Sequence, residues 1–123
     1  MKQSILLFLV LLTFSGCYND KAEVLYPCDL KATDVSTYSG VVNGILTNNC
    51  ASAAGCHMNE STNLSGVLLD NVAGAQTVAR NGKLLGAINH QTGFFPMPKG
   101  ATKLKECDIL KITKWVEGGA LNN

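Results

Sequence analysis

The 123-residue sequence is poor in charge: 15% of it is Asp, Glu, Lys or Arg, and the formal net charge is +1. A nucleic-acid binder needs a clustered basic surplus, so that class is excluded. There is no internal repeat. The 12 Gly and 3 Pro follow no collagen-like period, and 46% apolar content excludes a disordered tail. The longest apolar run, Ile5 to Leu12, falls far short of the ~20 residues that span a bilayer. No alternating stretch is long enough for a sheet. The only histidines are His57 and His90, and no His-x-x-x-His or Glu-rich cluster accompanies them. A metal-dependent enzyme built on them and on carboxylates is therefore weakly supported. No Ser/His/Asp arrangement or phosphate-cradling glycine loop stands out. Aromatics are scarce too: beyond residue 16 there are Tyr18, Tyr26, Tyr38, Phe94, Phe95 and Trp115, a thin core for one domain.

What is present begins with an address. Met1-Lys2-Gln3-Ser4 is a short basic lead, and Ile5–Leu12 is the apolar centre of an export signal. Phe14-Ser15-Gly16-Cys17 resembles a bacterial lipobox, in which Cys17 carries the lipid. Phe14 stands where an aliphatic residue is usual. The chain divides into a signal peptide (1–16), a lipid-anchored tether and irregular lead-in (17–38), and a folded domain (39–123). This places the protein in the periplasm or at the cell surface, anchored to a bacterial membrane through Cys17. Lys99, Lys103, Lys105, Lys111 and Lys114 crowd the later half and could steer an acidic partner, or simply solvate loop and helix faces.

From Ser39 a helical period appears, with Val41, Val42, Ile45 and Leu46 on one face and an end near Asn48-Asn49. Gly40 and Gly44 lie on this helix, and their cost there suggests a close helix contact. Cys50–Ser65 reads as loop, and Val67-Leu68-Leu69 as strand or extended chain. Asn71–Arg80 and Lys83–Asn89 are weaker helical candidates. Gly93–Ala101, with two Pro and two Gly, is irregular. Lys105–Glu117 is the strongest helix, with acidic residues early and Gly118-Gly119 at its end. Ile109, Ile112, Trp115 and Val116 form its buried side.

With Cys17 assigned to the lipid, Cys28, Cys50, Cys56 and Cys107 remain in an oxidising setting, and three pairings are open. Cys56 is followed at once by His57. A Cys-His dipeptide with an earlier Cys is how haem is held covalently: two thiols add across the porphyrin vinyl groups, and the adjacent imidazole reaches the iron. The usual spacing has two residues between the thiols; here five lie between Cys50 and Cys56. Taken alone, the segment reads equally as a haem site or as a disulfide loop. Haem iron takes a sixth ligand, commonly Met or His. Met97, between Pro96 and Pro98, suits that role, although any one Met is by default a packed side chain. Met58 abuts His57 and cannot reach the opposite face. His90 is a surface residue first, a propionate partner second and a ligand third.

These elements in order resemble the small class I c-type cytochromes, especially the exported lipoprotein versions of the Bacteroidota type. The residues carrying the resemblance are Gly55-Cys56-His57, Gly66-Val67-Leu68-Leu69, Met97-Pro98 and Trp115-Val116-Glu117-Gly118-Gly119-Ala120. The resemblance covers Ser39 to Asn123. It implies an all-α, cytochrome c-like fold, with short helices and loops around one covalently bound haem c and with the N- and C-terminal helices crossing. It implies Cys50 and Cys56 as thioethers, His57 as proximal ligand and Met97 as distal ligand. Cys28 and Cys107 are left over, and the resemblance implies a disulfide between them. The function so implied is electron transfer rather than catalysis: a monomeric monohaem carrier with redox-protein partners, a membrane anchor at Cys17 and no nucleic acid. The alternative is a non-haem lipoprotein stapled by Cys28/Cys107 and Cys50/Cys56, acting as a binding or interaction module.

Overall fold

The computed structural model describes Cys28 and residues 36–53, 56–58 and 65–123. The signal peptide, Cys17 and nearly all of the tether lie outside the described residues. The described chain is helical and has no strand. A π-helical turn (Tyr38–Val42) runs into α1 (Asn43–Asn49), followed by α2 (Val72–Arg80), α3 (Lys83–Ile88) and α4 (Glu106–Glu117). Among the described residues no helix is long and apolar enough to cross a membrane.

Thr37, extended at φ −89°, starts the first segment, its hydroxyl accepting from Gly40 N–H at 3.3 Å. Val42 N–H reaches back to the Thr37 carbonyl at 3.2 Å, which gives the wide π turn. Tyr38, Val42, Leu46 and Cys50 recur at four-residue spacing, and all four are buried in one core. That stripe packs on α4 through Tyr38 and Trp115, whose ring centroids are 5.6 Å apart and tilted by 41°. The first helical segment and α4 are therefore in contact.

The expected glycine contact is absent among the described residues. A Cβ on Gly44 would meet nothing within 4 Å, and one on Gly40 would meet only the Thr37 hydroxyl of its own cap. The tight helix glycines are elsewhere: Gly74 of α2 lies against the Leu68 carbonyl, and Gly86 of α3 lies beneath the Phe94 ring.

Helix α4 buries Ile109, Ile112 and Trp115, with Val116 half-buried. Its first turn carries Glu106 and Asp108, which oppose the positive end of the helix dipole. The C-terminal tail then ties the helices together. Trp115 Nε1–H donates to Leu121 O at 2.8 Å, and Gln76 of α2 donates to Ala120 O at 2.7 Å. Asn123 accepts from Tyr38 N–H at 2.9 Å and from the Ser39 hydroxyl at 2.7 Å. Cys28 is disulfide-bonded to Cys107 at the start of α4, with Cα atoms 5.3 Å apart.

Candidate functional site

Cys50 ends the buried stripe of the first helical segment, and this accounts for its burial. Its thiol is pushed up to about 11, first by desolvation and then by the nearby Cys56 sulfur. The two sulfurs therefore lie within electrostatic reach of each other. Both are unpaired, Cys50 buried and Cys56 exposed. The disulfide expected between them on the non-haem alternative is not formed, whereas Cys28–Cys107 is.

The backbone closes the loop that carries them. His57 N–H donates to the Cys50 carbonyl at 3.1 Å, and Cys56 N–H donates to Ala53 O at 3.1 Å. Leu69 N–H in turn reaches the His57 carbonyl at 2.7 Å. Val67-Leu68-Leu69 is thus a strap tied to the Cys-His loop, not a strand.

His57 Nδ1 lies 3.0 Å from the Val67 carbonyl oxygen, which can only accept, so the tautomer that makes this bond carries its proton on Nδ1. Ser65 Oγ sits 2.9 Å from the same nitrogen and itself donates to Val67 O. Nε2 has no hydrogen bond among the described residues, and in that tautomer it keeps its lone pair. A ring fixed through Nδ1–H on a carbonyl, with Nε2 open, is the arrangement of a histidine that ligates metal.

Met97 is half-buried on the loop after α3. Its N–H donates to Ala87 O at 3.1 Å, and its carbonyl accepts from His90 Nε2 at 3.0 Å. His90 is exposed, as its surface reading requires, but its ring is committed to this loop. Backbone and ring hydrogen bonds gather Cys50, Cys56 and His57 in one loop and His90 and Met97 in another, and these two groups are the candidate half-sites. Sequence reading proposed Cys50, Cys56, His57 and Met97 but missed the Val67 carbonyl and the His90–Met97 bond. A carbonyl ten positions downstream leaves no residue-type signature.

No three His, Cys, Asp or Glu side chains converge on a common metal point among the described residues. The groups present that a haem would use are two unpaired thiols, one imidazole and one thioether on a tied loop. Of the flagged lysines, Lys99, Lys103 and Lys105 are exposed, and Lys111 and Lys114 are half-buried. Comparison with family models, with curated proteins and with solved structures finds no match to this chain.

Proposed function

We propose that the chain is a monohaem c-type cytochrome, a single-electron carrier working outside the cytoplasm and anchored through an acylated Cys17. The observation that carries this reading is the His57 ring, with Nδ1 3.0 Å from the Val67 carbonyl oxygen and no hydrogen bond to Nε2 among the described residues, immediately after one of two unpaired thiols. Cys50 and Cys56 would each add S–H across a vinyl C=C of the porphyrin, sulfur to one carbon and hydrogen to the other. His57 Nε2 would be the proximal ligand and the Met97 sulfur the distal one. When bound, haem supplies the Fe(II)/Fe(III) couple. This chain's part is to hold that couple in place and set its potential. A His/Met pair favours the reduced state, as does burial of the additional positive charge of the oxidised state. Redox-protein partners would meet the Met97 loop, where Phe95 is 87% exposed.

A haem-staining band that survives a denaturing gel of bacterially matured protein, with one haem in the intact mass, is the expected result. Colourless protein without that mass would leave the disulfide-stapled binding module. In the haem protein, Met97→Ala should shift the reduced-state spectrum and lower the potential. An unchanged spectrum would assign the sixth position elsewhere.

A further inference from the structure

Two helices of this chain end in the same hydrogen-bonded turn. After α4, Ala120 N–H donates to Trp115 O at 2.9 Å and Gly119 N–H to Val116 O at 3.0 Å, with Gly119 at φ +94°. After α3, Gln91 N–H donates to Gly86 O at 3.0 Å and His90 N–H to Ala87 O at 3.2 Å, with His90 at φ +55°. This turn needs a left-handed residue at its penultimate position, where glycine is the strain-free choice. Gly119 fills it in one helix and His90 in the other. A Cβ in that conformation crowds the backbone, and such strain persists only where the surroundings enforce it.

The surroundings of His90 are specific. Its Nε2–H donates to the Met97 carbonyl at 3.0 Å, while Met97 N–H donates to Ala87 O at 3.1 Å. Both backbone polar groups of Met97 are thereby tied to the end of α3, one directly and one through His90. The Phe94 ring clamps the same loop over Gly86, where a Cβ would come within 2.6 Å of ring atoms. Glycine at position 90 would relieve the backbone and release the Met97 carbonyl.

We propose that His90 is the positioning residue for the Met97 thioether, held in a strained conformation that aims its ring at the Met97 carbonyl. This rests on Met97 being the sixth ligand. Without the His90 tie the loop opens more often, and an outside ligand reaches the iron more easily.

The test titrates ferric, bacterially matured protein with imidazole, which competes with Met97. Wild type is compared with His90→Gly, His90→Asn and Met97→Ala. His90→Gly and His90→Asn, both at ease in the left-handed region, should each bind imidazole about two- to tenfold more tightly, the factor one hydrogen bond is worth. Met97→Ala should bind most tightly of all. The urea midpoint of His90→Gly should equal or exceed that of wild type, because strain is relieved. Unchanged imidazole affinity in both His90 variants overturns the proposal. So does tightening in the glycine variant alone, which reflects backbone freedom, or a lowered midpoint, which reflects general loosening. Wild type without covalent haem overturns the cytochrome reading and this proposal together. Haem-loaded wild type whose imidazole affinity is unchanged by Met97→Ala removes Met97 as ligand, and with it the role of His90, while leaving the haem in place.

Discussion

Cys50 and Cys56 are near neighbours in sequence but sit in different surroundings, one buried and one exposed. Burial holds the Cys50 proton on, from an ordinary 9.0 to about 11. As pH rises from 9 the unfolded chain releases this proton first, so the unfolded state gains and the folded state loses ground. Stability should be whole below about pH 9, fall between about 9 and 11, and level off above. Tyr38, raised by burial and then by the Asp70 carboxylate, pulls the same way in the alkaline range. The Cys50 share is therefore the difference between wild type and Cys50→Ala. For haem-free protein with its disulfide intact, we expect that difference to be on the order of 2–3 kcal/mol across the window. Urea unfolding at a series of pH values measures it, and parallel curves would show that the thiol is not shielded. In haem-loaded protein the sulfur is a thioether with no proton to lose, and this difference should vanish.

Among the helices, one substitution carries opposite signs at two positions. Alanine in place of glycine ordinarily stabilises a helix by about 0.5–1 kcal/mol. Gly44, with nothing within 4 Å of a prospective Cβ, should show that gain. Gly74 should show a loss of about 1–3 kcal/mol, since its Cβ would overlap the Leu68 carbonyl and the backbone would have to shift. Denaturant midpoints of the two variants against wild type check both, and a gain at Gly74 would mean that the strap before α2 yields freely. The pair also marks where sequence reading reaches its limit. The period of α4 is local: Ile109, Ile112 and Trp115 announce a buried face, and Gly118-Gly119 its end. The reason for a glycine lies in whatever packs on it. For Gly74 that partner is a backbone atom six positions earlier, invisible to residue type. The π turn is hidden similarly, because Tyr38 N–H is anchored by Asn123, 85 positions away.

At the scale of the whole molecule, the candidate donors stood out in the sequence because thiol, imidazole and thioether are chemically rare. The hydrogen bonds that hold them did not, since those run to the Val67 and Met97 carbonyls. The Cys28–Cys107 bridge encloses both half-sites in a loop of sequence separation 79. Chain entropy alone gives such a loop up to about 4–5 kcal/mol of stabilisation, and native cross-links commonly deliver 2–4. Neither cysteine belongs to either half-site. The Cys28→Ala/Cys107→Ala variant should therefore lose about 2–4 kcal/mol in guanidinium unfolding and, with haem bound as proposed, keep the haem spectrum of wild type. A changed spectrum would mean that the start of α4 helps shape the site.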